Sequence, residues 1–386
     1  MSATSEGINH DEIRSAMREL CARFPGEYWR DVDRREAYPA EFVAALTEAG
    51  WLAALIPSEY GGAGLGLAEA AVILEEINHS GANAGACHAQ MYVMGTLLRH
   101  GSDEQKQRYL PSIASGELRL QAFAVTEPDA GLDTMSIRTR ARLDGDRYVV
   151  DGQKIWTSRA LQSDLMLLLA RTSAPDPKRR WFGLSTFLVD LRTVGERVRI
   201  VPIETMLNHN TNEVFIENLE VPVENLIGEE GMGFRYILDG MNAERILIAA
   251  ECVGDGRWFI ERSVEHANRR VVFGRQIGQN QGVAFPIARA HARLEAADLM
   301  RQRAAELFQL GRSCAAEANM AKLLCADASW EAANVCLDVH GGVGFAREYD
   351  VERKFRETRL YQVAPVSTNM VLAYLAQTVL GLPRSY

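Results

Sequence analysis

The chain has 386 residues, more than one hydrophobic core usually serves, so two or three packed units are expected. A hydrophobic content of 47%, a charged content of 24% and a net charge of −9 describe a globular chain and count against nucleic acid or an anionic membrane surface as its main partner. No apolar run approaches the roughly 20 residues that cross a bilayer, so no membrane span is expected.

From residue 10 to about 118 the pattern is helical. "YPAEFVAALTEAGWLAAL" spaces Phe42, Leu46 and Trp51 near a 3.6 period, and "LAEAAVILEEINHS" does so with Leu67, Val72 and Ile77. Between them "IPSEYGGAGLG" is a Pro/Gly loop. Its "GGAGLG" (61–66) lacks the Lys-Ser/Thr of a phosphate loop and follows no strand, so it reads as a plain turn. Met91, Met94 and Leu98 read as core, and His88 as a packing histidine.

The period then changes to two. Residues 118–127 form a short apolar run. "IRTRARLDGDRYVVDG" alternates, turns at Asp144-Gly145 and resumes, which predicts a hairpin. "DLMLLLAR", "LSTFLVDL", "VRIVPI" and "NEVFIENLEVP" are further strands, with "TSAPDPKRRW" (172–181) a surface loop. Around "VPVENLIGEEGMGF" the helical period returns and holds to the C-terminus, broken at "HGGVGFAREYD". Helices, then a β unit, then long helices make an α+β fold, without the strand–glycine loop–helix of a dinucleotide domain.

Six cysteines (21, 87, 252, 314, 325 and 336) form neither a CxxC pair nor a metal-spaced cluster with histidine. With no basic-then-apolar leader at the N-terminus they fit reduced thiols, and the chain reads as cytoplasmic.

Two β segments suggest a wall for a flat aromatic cofactor. "AVTEPDAGLD" (124–133) ends a strand in a turn whose N–H groups can donate, and "GQKIWTS" (152–158) offers an aromatic face at Trp156 and a hydroxyl at Ser158. A third segment, "ILDGMNAERILIAAE" (237–251), sets Glu244 on the face of Ile237, Met241 and Ile248, with Arg245 next. Neighbours on a helix point about 100° apart and pair poorly, so the two are expected to act separately. Glu251 shares the Glu244 face and reads as a solvated or structural charge toward the helix end; His340 reads as a packing residue.

With these stretches in view, the chain resembles the acyl-CoA dehydrogenases over nearly its whole length. The resemblance is carried by "PSEYGGAGLG", "HGSDEQKQRYLPSIASGE", "AVTEPDAGLD", "DGQKIWTS", "NLIGEEGMGF", "RRVVFGRQIGQNQGV" and "HGGVGFAREYDVERKFRETRLYQV". It implies an N-terminal α-helical domain (1–119), a middle β-barrel-like domain (120–230) and a C-terminal four-helix-bundle domain (231–386), with FAD between them. It also implies a homodimer or homotetramer that completes the FAD site from a neighbouring subunit. Phe123, Val125, Thr126, Trp156 and Ser158 would face the flavin, with Ser158 near N5. From the neighbour, Arg270, Phe273 and Gln281 would hold the adenosine diphosphate part, with Asp338 and Gly342 lining the same groove. Ser367 and Asn369 fall at positions that contact the cofactor.

The implied reaction removes the α-proton of an acyl-CoA thioester while the β-hydrogen leaves as hydride to flavin N5, giving a trans-2-enoyl-CoA, with an electron-transfer flavoprotein as acceptor. Many members carry the base in a "YEGT"-type motif. The matching stretch here is "VAPVST" (363–368), where Pro365 replaces the glutamate. A second branch, resembling isovaleryl-CoA and long-chain acyl-CoA dehydrogenases, places the base in an "ER" pair, which Glu244-Arg245 matches. Glu244 is then the expected base, its apolar surroundings raising its pKa toward the working pH, and Arg245 a CoA or site contact.

Two positions depart from the family. Pro365 has no N–H to donate to the thioester oxygen, which leaves Val366 or a shifted backbone to serve. Leu132 replaces a serine near flavin and substrate. A flavin oxidase or monooxygenase on the same fold is the alternative activity; a flavin protein that binds DNA is a more distant one, opposed by the net charge.

Overall fold

Where the sequence passes from a 3.6 to a 2.0 period, the chain passes from helix to sheet. A computed structural model describes residues 9–384. Its helices are α1 (His10–Ala22), α2 (Gly26–Arg34), α3 (Ala40–Glu48), α4 (Leu67–His79), α5 (Gly85–His100), α6 (Asp103–Ser115), α7 (Gly233–Arg269), α8 (Gln281–Gln309), α9 (Ala315–His340), α10 (Val351–Arg359) and α11 (Thr368–Tyr374). Its strands are β1 (Leu120–Ala124), β2 (Arg140–Asp144), β3 (Arg147–Ser158), β4 (Leu165–Arg171), β5 (Leu184–Asp190), β6 (Val198–Pro202), β7 (Thr211–Pro222), β8 (Leu226–Ile227), β9 (Val271–Val272) and β10 (Arg275–Gln276). The chain divides into two compact units. One holds Glu36–Gly64 and Gly85–Met241; the other holds the residues up to Arg35, Leu65–Ala84 and those from Asn242 onward.

The first unit is built on an eight-stranded sheet in the order β6-β7-β3-β2-β4-β5-β8, with β1 added parallel to β4. β4 is buried on both faces, which explains its unbroken apolar run. Leu165 and Leu167 pack with Val93, Met94 and Leu97 of α5, while Met166, Leu168 and Ala170 pack with Tyr148, Val150 and Phe187. Met91 is buried too, as expected of core. The hairpin forms as read, with Gly145 at φ 65 between paired Asp144 and Arg147. α6 opens with a capping box between Ser102 and Gln105.

Two local expectations change. The helix around Phe42 stops at Glu48, because Gly50 takes φ 78 and Trp51–Ala53 coil into a 3-10 turn. Leu226–Ile227 form a short strand on β5 before α7 begins. The "GGAGLG" loop is a turn, as read: Gly61 and Gly64 have positive φ, and a Cβ on Gly62 would lie 2.1 Å from the Ile56 carbonyl oxygen.

In the second unit α1 packs on α4, α4 on α8, α8 on α9, and α9 on α10 and α11. Small residues let the helices approach. Alanines line the buried face of α9, and Gly254 of α7 sits where a Cβ would be 2.2 Å from the Glu75 carbonyl oxygen of α4. Two carboxylates buried here are each paired with arginines. Glu75 meets Arg14 (2.7 Å), Arg301 (3.1 Å) and Arg257, and Asp298 meets Arg301 (2.6 Å) and Arg257 (3.0 Å). Among the described residues no helix is long and apolar enough to cross a membrane, no group of side chains could hold a metal, and no cysteine is in a disulfide.

Candidate active site

The sheet unit brings its five expected flavin contacts together on two adjoining segments. Phe123 is half-buried at the end of β1, edge-on to Tyr92 with ring centroids 5.6 Å apart. Val125 and Thr126 follow it, and the Thr126 carbonyl accepts the N–H of Ile155 at 2.9 Å. That bond carries the chain to Trp156 and Ser158. The β3–β7 register breaks between Lys154 and Thr157, and at this break Trp156 adopts φ 61 with 55% of its surface exposed. A bulky residue in the left-handed region is strained, and such strain collects at functional sites. Arg159 follows at φ 56, its N–H on the Asn210 carbonyl at 2.7 Å, and Asn212 Nδ2 holds the Thr157 carbonyl at 2.9 Å. Leu132 lies in the exposed turn after Ala130, 63% exposed. His88 is buried with its ring 5.1 Å from that of Tyr92.

The helical unit carries the other candidates. Glu244 is 7% exposed, on α7. Arg245 donates from Nη1 to Asn242 Oδ1 at 3.3 Å, and burial lowers its pKa, opposed by the charges of Glu244 and Tyr374. Behind it Lys322 of α9 is fully buried and likewise held below its usual value by burial. Arg245 Nε and Lys322 Nζ have no hydrogen-bond partner among the described residues. Pro365 and Val366 lie in the loop leading into α11, whose N-cap Ser367 accepts from Met370 N; Asn369 is exposed.

Of the two readings of Glu251 the structural one holds, though not its place toward the helix end. α7 runs on to Arg269, so Glu251 sits in mid-helix, 2% exposed, where its Oε2 accepts the Tyr361 hydroxyl at 3.0 Å. It is structural, not solvated. His340 contacts the Cys336 carbonyl through Nδ1 at 2.8 Å and stacks on His266 with centroids 4.3 Å apart, a packing arrangement.

Arg270, Phe273, Gln281, Asp338 and Gly342 gather at another end of the helical unit. Arg270 follows α7 and Phe273 tops the β9–β10 ribbon, fully exposed at φ 52; Gln281 opens α8. Asp338 and Gly342 are exposed at the end of α9, and nothing lies within 4 Å of where a Gly342 Cβ would be. From Glu244 to Arg269 the helix rises roughly 38 Å at 1.5 Å per residue, so this group is remote from Glu244 within one subunit. An exposed arginine, an exposed aromatic and open glycine backbone suit a pyrophosphate and an adenine ring, and the Trp156 face suits an isoalloxazine; the residues fit FAD.

Sequence reading missed Lys154 and Glu127, a buried pair behind the Trp156 wall with Nζ to Oε1 at 2.8 Å. The signal existed, since Tyr148, Val150 and Lys154 share one parity of β3 and the first two are apolar and buried.

The acyl-CoA dehydrogenase N-terminal, middle and C-terminal domain families match residues 8–117, 122–219 and 231–380. Acyl-CoA dehydrogenase FadE12 of Mycobacterium tuberculosis is 35% identical over 384 residues, 99% of this chain and 98% of its own. Cyclohex-1-ene-1-carbonyl-CoA dehydrogenase of Syntrophus aciditrophicus is 33% identical over 91% of this chain and 85% of its own. The solved complex of glutaryl-coenzyme A dehydrogenase with glutaryl-CoA superposes with a TM-score of 0.90 at 29% identity, covering 99% of this chain and 98% of that one.

Proposed function

Because the chain belongs to the acyl-CoA dehydrogenase family, FAD-dependent oxidoreductases that act on the CH–CH bonds of acyl-CoA thioesters, we propose that it makes a trans-2-enoyl-CoA with Glu244 as the base. One observation carries the assignment: Glu244 is a buried carboxylate in the "ER" position, while the commoner base position holds Pro365. Glu244 takes the α-proton onto a carboxylate oxygen from which bulk water is excluded, and Arg245, one residue round the helix, meets the CoA thioester. Val366 is the next backbone N–H after Pro365 and serves as the donor to the thioester oxygen. Leu132 borders the acyl group.

FAD, when bound, supplies the acceptor for the hydride that leaves Cβ. Phe123, Val125, Thr126, Trp156 and Ser158 face its ring system, and Ser367 and Asn369 contact it. Arg270, Phe273, Gln281, Asp338 and Gly342 come from a neighbouring subunit of a homodimer or homotetramer, a reading supported by the roughly 38 Å of helix that separates them from Glu244. The domains are 1–119, 120–230 and 231–386, the electron acceptor is an electron-transfer flavoprotein, and the compartment is the cytoplasm, consistent with six buried cysteines outside any disulfide.

The test is anaerobic titration of the holoenzyme with a panel of acyl-CoA thioesters. Flavin bleaching with stoichiometric enoyl-CoA is expected, and reoxidation by air should be slow. Rapid reoxidation without enoyl-CoA would establish instead the flavin oxidase that the missing Pro365 donor leaves open.

A further inference from the structure

β3 carries a cation where its inward register otherwise carries apolar side chains. Lys154 is fully buried; its Nζ donates to the Val125 carbonyl at 2.9 Å and to Glu127 Oε1 at 2.8 Å. Glu127 in turn accepts the backbone N–H groups of Arg138 (2.6 Å) and Thr139 (2.9 Å). A buried ion pair is a weak stabiliser, since an apolar pair of similar volume often does as well. What this one does is local. Lys154 holds the Val125 carbonyl, and the next residue, Ile155, holds the Thr126 carbonyl at 2.9 Å. Two consecutive residues of β3 therefore tie down the two consecutive residues that follow β1. The register break and the φ 61 of Trp156 come immediately after. Strain of this kind persists only where the surroundings over-determine it.

We propose that Lys154 is a positioning residue for the flavin: clamped by Glu127 and the Val125 carbonyl, it fixes residues 125–127 against the Trp156 bulge, so that Val125, Thr126, Trp156 and Ser158 form one preorganised wall. The proposal rests on the flavin-facing reading of those four residues given above. A wall held by supporting bonds binds its ligand without reordering at the moment of binding.

Charge gives the clamp a pH dependence. Burial pulls the Lys154 ammonium down to about 8, against the opposing attraction of Glu127. Glu127 stays below the usual carboxylate range: burial raises it, but Lys154 and the N–H bonds outweigh burial. Among the described residues Arg171 also faces Glu127, and its guanidinium donates to the carbonyls of Ile137 (3.2 Å) and Met135 (2.6 Å). Above pH 8 the amine is neutral and the clamp weakens. Because the folded pKa is depressed from 10.5, loss of this proton favours the folded chain, so stability does not fall with it. FAD affinity alone should fall.

The experiment measures FAD dissociation by flavin fluorescence from pH 6.5 to 9.5, with melting followed by circular dichroism. In the wild type the dissociation constant should rise on the order of tenfold through pH 8 while the melting temperature does not fall. Lys154→Met alone strips Glu127 of its cation, so the informative variant is Lys154→Met/Glu127→Gln, in which neither charge is left alone. It should bind FAD roughly 10–100-fold more weakly, the scale of lost supporting contacts around metal ligands, and show no step near pH 8. Wild-type affinity in the double variant, or a step that survives in it, would overturn the proposal, as would a flat wild-type profile. A wild-type chain that holds no FAD at pH 7 would instead overturn the functional reading on which the proposal rests.

Discussion

Replacing Asp255 by asparagine should make the protein more stable, and more so as the pH rises. Asp255 lies on α7 and is fully buried beside Lys354, 2.5 Å from Nζ. Burial pushes its carboxyl up to about 7 from the ordinary 3.8; Glu357 and Glu251 add to the rise, and Lys354 opposes it. A carboxyl raised in the folded state contributes stability that is full below about pH 4 and is lost as the pH climbs through 7. The difference of about 3 pKa units corresponds to about 4 kcal/mol, lost at about 1.4 kcal/mol per pH unit between pH 4 and 7. Asparagine has no proton to lose. Lys354 keeps Glu357 Oε2 at 3.2 Å and the Ala82 carbonyl at 3.0 Å, so it is not stranded in Asp255→Asn. Urea denaturation of both proteins at pH 5 and pH 8, with unchanged m values, measures the effect. The advantage of Asp255→Asn should widen by about 2–3 kcal/mol between the two pH values. An equal difference at both, or a variant that loses ground at pH 8, would refute the raised pKa.

Two further outcomes follow from packing. Gly254→Ala places a methyl 2.2 Å from the Glu75 carbonyl oxygen and 3.0 Å from His79 N, so α4 and α7 must shift; a loss of about 1–3 kcal/mol is expected in the same urea assay. Phe273→Ser removes a fully exposed ring and should change single-subunit stability by less than about 0.5 kcal/mol. Gel filtration and flavin fluorescence of Phe273→Ser should nevertheless reveal weaker FAD retention.

Helix and strand periods made most of the architecture readable. The Glu244 face could be seen because Ile237, Met241 and Ile248 fix one side of a 3.6 helix, and Ile237 and Ile248 are indeed buried. What stayed hidden depends on partners far away in sequence. Asp255 gains its character from Lys354, and Glu75 its pairing from Arg301, separations no local pattern records. The role of Glu251 stays hidden because the Tyr361 hydroxyl that meets it is 110 residues away in sequence. The aromatic face of Trp156 is legible in the sequence. Its left-handed backbone is not, since it arises from a slip in register against β7. Lys154 is hard to find in the sequence because a lysine in a strand is usually solvated, and only the parity it shares with Tyr148 and Val150 argues otherwise.

The most direct test of the account is anaerobic stopped-flow mixing of Glu244→Gln holoenzyme with a thioester that bleaches the wild type. Glutamine fills the same space without being able to take a proton, so FAD should stay bound and the flavin should stay oxidised, with reduction slowed at least about 100-fold. Bleaching at the wild-type rate would show that another group removes the α-proton.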